Sequence, residues 1–92
     1  MDKLVAAEIF VGHSVVAVRI DHGDPFDERN VASYVDAARK IFPGKPVVSV
    51  WYDNLGLANV QGDSPYAEDV ARSAHILGSR WKSYQISIPS GK

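Results

Sequence analysis

Apolar and polar positions alternate from Leu4 to Ile20, and Gly12-His13 interrupts them once. Alternation with a period of two, broken by a glycine, predicts a β-hairpin over residues 4–20. Glycine at the first central position suits a two-residue type II′ turn. That turn pairs Ile9 with Val16, Ala7 with Val18 and Val5 with Ile20, which gathers these apolar side chains on one face. The other face then carries Leu4, Ala6, Glu8, Phe10, Val15, Ala17 and Arg19, with Glu8 and Arg19 on a cross-strand diagonal where opposite charges attract.

The period changes beyond Gly23. Val31, Tyr34, Val35, Ala38, Ile41 and Phe42 recur at helical spacing and predict a helix over 25–42. Asp24 is the expected N-cap and Pro25 suits the first helical position. Asp27 and Glu28 in the first turn, with Arg39 and Lys40 in the last, complement the helix dipole, and Pro43-Gly44 stops it. Val47–Tyr52 is nearly all apolar, as in a central strand covered on both faces. Residues 53–63 read as a loop with two Gly and two Asn, holding a short strand around Leu57–Val60. A second helix runs from Pro65 to near Gly78, capped by Ser64 or Asp63, with Tyr66, Ala67, Val70, Ala71, Ala74 and Leu77 as its buried stripe and Trp81 folding back on it. Lys82–Ile88 alternates like a half-exposed edge strand, and Pro89–Lys92 is a tail.

The order is ββαβαβ, an α/β fold in one domain over 1–92. The expected architecture is a two-layer sandwich: a mixed sheet of four or five strands, a right-handed crossover, and both helices packed on one face. The opposite face would expose Leu4, Phe10 and Val15 beside Arg19. A small monomer rarely leaves such a patch open, so these four residues form the expected homodimer face.

Composition narrows the function. Ninety-two residues with 46% apolar content support one core. Ten Lys and Arg against eleven Asp and Glu leave a formal charge of −1, without the basic footprint that nucleic acid requires. With no cysteine, disulfides, thiol nucleophiles and Cys-based zinc sites are excluded. The start, Met1-Asp2-Lys3, does not read as a signal peptide, and no apolar run approaches the roughly eighteen residues that span a bilayer. A cytoplasmic protein without membrane insertion or cofactor is the expectation.

One pattern occurs twice: Gly23-Asp24-Pro25-Phe26-Asp27-Glu28 and Gly62-Asp63-Ser64-Pro65-Tyr66-Ala67-Glu68. Both mark strand-to-helix turns, with an acid or Ser as cap and Pro in the first turn. The second copy closes the stretch Val47-Val48-Ser49-Val50-Trp51-Tyr52-Asp53-Asn54-Leu55-Gly56-Leu57-Ala58-Asn59-Val60-Gln61-Gly62-Asp63-Ser64, which resembles the STAS family of sulphate-transporter and anti-sigma-factor-antagonist domains. Asp53, Gly56, Leu57, Val60, Asp63 and Ser64 fall in the roles of that family's signature, and the resemblance covers about residues 14–78. It departs from the family in Pro65, in one extra residue between Val60 and Asp63, and in the shortened C-terminal part. The resemblance implies a regulatory module that binds a protein partner through Asp53, Asn54, Leu57, Asn59, Asp63, Ser64 and Tyr66, with Ser64 phosphorylated as a switch. By position alone, Ser64 is an ordinary N-cap.

Two other readings stand beside this one. A small phage- or plasmid-encoded inhibitor that blocks a host complex by contact has the same features. Alternatively, Asp21 and Asp24 after the second strand and Asp53 after the third, joined by His22, would converge on Mg²⁺ in a receiver-like protein or small enzyme. His13, His22 and His75 have no metal-ligand spacing, and His13 and His75 are expected at the surface. No Gly-x-Ser-x-Gly elbow or phosphate-binding Gly-rich loop occurs, and carboxylates at both helix starts would repel a phosphate. Trp51, Tyr52 and Trp81 lack interleaved basic residues and suit packing rather than base stacking. A non-catalytic protein-binding module is the reading these residues favour.

Overall fold

Val15, Val16, Ala17 and Val18 are all fully buried, so the strand that carries them has no solvent side. A computed structural model of the chain, describing residues 3–86, shows what covers it. The elements are β1 (Lys3–Phe10), β2 (Ser14–Arg19), α1 (Glu28–Ile41), β3 (Val47–Tyr52), β4 (Ala58–Gln61), α2 (Tyr66–Arg72), a 3₁₀ helix (Ala74–Ser79) and β5 (Lys82–Gln85). The strands form one mixed five-stranded sheet in the order β4-β3-β2-β1-β5. Only β2 and β3 pair in parallel; β1–β2, β1–β5 and β3–β4 are antiparallel. Ser87, Ile88 and the tail Pro89–Lys92 lie outside the described residues.

The hairpin register is one residue away from the expected one. Phe10 pairs with Ser14, Ile9 with Val15, Ala7 with Ala17 and Val5 with Arg19. The loop is therefore three residues, Val11-Gly12-His13, closed by the Val11 N–H donating to the His13 carbonyl, with Gly12 at φ +87°. A one-residue slip turns β2 over relative to β1. Both parities of β1 and β2 are largely Ala, Val, Ile or Leu, so the apolar pattern tolerates either register.

The helices consequently pack on opposite faces of the sheet, not on one. On the first face, α2, the 3₁₀ helix and Trp81 cover Ala7, Ile9, Val15, Ala17, Val48 and Val50, with Val70 and Leu77 as their buried contributions. On the second, α1 covers Leu4, Ala6, Val16, Val18 and Ile20 with Tyr34 and Ala38. Leu4 and Val15 are both wholly buried, and they lie on opposite faces. The expected dimer face of Leu4, Phe10, Val15 and Arg19 therefore does not exist as a surface. Phe10 is exposed at the end of β1, and Arg19 lies on the face away from Leu4. Glu8 and Arg19 also point to opposite faces; Glu8 pairs with Lys45, and Arg19 with Asp21.

Both helix starts differ from expectation. Asp27 is the N-cap of α1, its Oδ1 accepting from the Arg29 N–H at 3.0 Å. Asp24 instead closes a turn around Pro25, its Oδ1 accepting from the Phe26 N–H at 2.9 Å. The α2 start has no side-chain cap. The Ser64 hydroxyl lies 2.9 Å from both Glu68 carboxylate oxygens and donates to that group. The second helix is split: its α-helical part ends at Arg72, and the remaining apolar positions, Ala74 and Leu77, are delivered by the 3₁₀ helix.

Candidate functional site

β2 and β3 run parallel, so both end on the same side of the sheet, and two short loops leave from there. The first, residues 20–27, is fastened to α1. The Tyr34 hydroxyl accepts from the His22 N–H at 3.0 Å, and the Asn30 amide donates to the carbonyls of His22 (2.9 Å) and Asp24 (3.2 Å). Gly23 sits at φ +81°, which favours glycine, and a Cβ there would come within 2.6 Å of the Asn30 amide and displace it from its hydrogen bonds. These bonds present Phe26, 68% exposed, with its ring edge-on to Trp51 at 5.2 Å.

The second loop joins β3 to β4 and is organised by one carboxylate. Asp53 Oδ1 accepts from the N–H groups of Leu55 (2.9 Å) and Leu57 (3.0 Å), while the Asp53 carbonyl accepts from Gly56 N–H at 2.9 Å. The Leu57 N–H is the main reason the Asp53 carboxyl is held below its ordinary pKa; partial desolvation opposes it, and the Leu55 N–H adds to the lowering. The loop holds Leu55 (82% exposed) and Leu57 (59% exposed) out in solvent. A carboxylate spent on orienting two leucines away from the core is a costly arrangement for residues with no contact to make, because exposed apolar area carries a hydration penalty of about 25 cal/mol per Å².

Phe26, Leu55 and Leu57 thus project from two pinned loops at one end of the molecule. The surroundings are acidic: Asp21, Asp24, Asp27 and Glu28 follow one another with no Lys or Arg between Arg19 and Arg29. Arg19 closes the far side, its Nε 2.7 Å from Asp21 and its guanidinium 5.5 Å above the Trp81 ring, whose indole N–H donates to the Tyr52 hydroxyl. A groove of about 820 Å³ with mixed lining lies between this end of β1 and β2 and the start of α1, bounded by Lys3, Val5, Asp21, His22, Asn30 and Tyr34 among others.

The seven residues expected to bind a partner fall into two groups. Asp53, Asn54, Leu57 and Asn59 belong to the β3–β4 hairpin; Asp63, Ser64 and Tyr66 lie past the other end of β4. Tyr66 packs against His13, ring centroids 5.0 Å apart; the His13 side chain keeps 39% of its surface exposed, while its Nε2 is shielded from solvent 3.6 Å from Asp69. Sequence reasoning passed over Phe26 and Leu55. Each is a large apolar residue inside a turn, without a periodic partner, and that isolation is the signal available for them.

Asp21, Asp24 and Asp53 do not gather into one metal-binding group. Asp21 is engaged by Arg19, Asp24 by the Phe26 N–H and Asp53 by its own hairpin. Among the described residues no three His, Asp or Glu side chains come together as a metal-binding group. Nor, among them, is any helix long and apolar enough to cross a membrane. No protein-family model, no curated protein and no solved structure matches this chain.

Proposed function

We propose that this protein is a non-catalytic regulatory module that works by binding another protein, with the loops at the carboxyl ends of β2 and β3 as its contact surface. The observation that carries this reading is the exposure of Leu55, Leu57 and Phe26 on backbone that is held in place by Asp53, Asn30 and Tyr34. Pre-ordered apolar anchors ringed by polar groups lose little entropy on docking, which is how a few residues come to dominate an interface. The nearby carboxylates act in this reading as structural acceptors and as a charged rim, with no turnover.

A STAS-like regulator is the specific form of the proposal, and the exposed Ser64 hydroxyl beside Glu68 supports it. A phosphate on Ser64 would replace that hydrogen bond with repulsion from Glu68 and Asp63. Affinity capture from the native host tests both parts. The chain should retain a partner that a folded Leu55→Asp/Leu57→Asp variant loses at least tenfold, and Ser64→Asp should change the amount retained. Equal capture by wild type and the double variant would overturn the contact surface; equal capture by Ser64→Asp would remove the switch.

A further inference from the structure

The sheet has an open edge beside a lined trough. Among the described residues β4 pairs on one side only. The Ile20 N–H donates to the Val50 carbonyl and the Val16 N–H to the Pro46 carbonyl, so the even-numbered residues of β3 face β2 and the odd-numbered ones face β4. Ser49 and Trp51 therefore bond to their partners Gln61 and Asn59, and alternation turns the N–H and C=O groups of Ala58 and Val60 outward. Edge strands are usually guarded by shortness, charge, proline or a bulge; Ala58-Asn59-Val60-Gln61 is short but carries no charge and no proline.

Helix α1 packs over β1, β2 and β3 and only skirts β4, whose residues stay half-buried. The space between them is a trough of about 290 Å³, walled by Val31 and Val35, closed at one end by Phe26, with Gln61 opposite. A second compartment of about 280 Å³ continues past Gln61 to Asp63. Four charged groups line the two: Glu28, Asp36, Asp63 and Arg39. Arg39 lies 3.9 Å from Asp36 and both stay largely exposed, so a ligand meets three acids against one base, with Glu28 in the first compartment and Asp63 in the second.

We propose that the β4 edge takes up an extended segment of a partner protein as a sixth strand, with apolar side chains at alternate positions entering the trough and Lys or Arg at both ends facing Glu28 and Asp63. This rests on the protein-binding reading and names the partner's chemistry. Main-chain bonds to Ala58 and Val60 supply affinity, and the trough selects the side chains. Charge argues against a second copy as occupant. Antiparallel pairing of two β4 strands about a two-fold axis would bring Glu28 of each copy toward Asp63 of the other, acid against acid.

A random dodecapeptide library selected against the full chain tests this. Enriched peptides should alternate apolar residues between flanking Lys or Arg, and should slow exchange of the Ala58 and Val60 amide protons at least tenfold in NMR. Glu28→Lys/Asp63→Lys, a surface change, should weaken those peptides at least tenfold. Peptides that bind only the Leu55–Leu57 hairpin and leave both amides unprotected would overturn strand addition while leaving the protein-binding reading intact. Absence of any enriched peptide would overturn it too, as would a β4–β4 dimer of the chain alone, seen as Val60–Val60 contacts between copies. The host capture with Leu55→Asp/Leu57→Asp judges the broader reading separately.

Discussion

Asp53 shows how a single side chain can build a loop. Its carboxylate is the common acceptor for Leu55 and Leu57, and the hairpin has no apolar contacts of its own to hold those leucines. The folded-state pKa lies below the ordinary carboxylate value, so the charged form stabilises the fold. That contribution is complete above the unfolded pKa of about 4 and disappears as pH falls through the lowered folded value. Acidification should therefore loosen this hairpin, and the Leu55 and Leu57 amide resonances should titrate together with the Asp53 carboxyl in NMR. Asp53→Ala should abolish that titration and give both amides fast exchange at neutral pH. Independent titration of the two amides would remove the shared-acceptor account. The candidate contact surface depends on this geometry, because Leu55 and Leu57 project only while their N–H groups are tied back.

The helix starts illustrate what a turn motif can and cannot specify. Two similar Gly-Asp-(Ser)-Pro-aromatic stretches lead into two differently made elements. In the first, Asp24 closes a turn and Asp27 caps the helix three residues on; in the second no side chain caps the helix. An N-cap carboxylate is typically worth about 1 kcal/mol, within roughly 0.5–2. Asp27→Ala should therefore destabilise the protein by about 1 kcal/mol in urea unfolding, while Ser64→Ala should stay within about 0.5 kcal/mol, as uncapped surface positions do. A reversed order would show that Ser64 caps α2 in solution. Helix α1 also serves the site directly, since Asn30 and Tyr34 on its first turns fasten the loop that presents Phe26. Its C-terminal half does not reach these loops; it covers the sheet and, through Val35, Asp36 and Arg39, lines the trough beside β4.

The molecule as a whole is a sheet clamped between two unequal covers. Leu4 belongs to the cluster under α1 and Leu77 to the cluster under α2 and the 3₁₀ helix, and the two clusters share β1, β2 and β3. Each leucine is fully buried, and replacing either by Ala should cost about 2–5 kcal/mol. Because the clusters are two sides of the same strands, Leu4→Ala and Leu77→Ala should each lower one common transition, with far-UV and near-UV signals coincident. Separate transitions for the two variants would mean that the covers melt independently. With helices on both faces, the openings left among the described residues are at the ends and edges of the sheet: the pinned loops beyond β2 and β3, and the outer sides of β4 and β5. The proposed partner contacts lie at two of those openings for that reason.

The linear pattern was sufficient for the order of strands and helices, though not for the break of the second helix into α and 3₁₀ parts. Period two over 4–20, period 3.6 over 25–42 and the apolar run 47–52 each correspond to an observed hairpin, helix and central strand, because local periodicity follows from backbone geometry alone. The short strand near Leu57–Val60 was legible for the same reason, and two residues of the proposed contact surface, Asp53 and Leu57, were marked by their Gly- and Asn-containing turn. Register and facing were not legible. Val15, Val16, Ala17 and Val18 are apolar at every position, so a one-residue slip leaves the pattern unchanged while exchanging the faces. Only the packing of α1 on one side and α2 on the other resolves that degeneracy, since a strand buried twice needs two covers. The same tertiary choice removed the expected dimer face, drew Asp21, Asp24 and Asp53 into separate hydrogen bonds, and left Phe26, Leu55 and the β4 edge exposed. Which apolar residues remain outside depends on what the rest of the chain has already covered, a property of the folded whole that no local window contains.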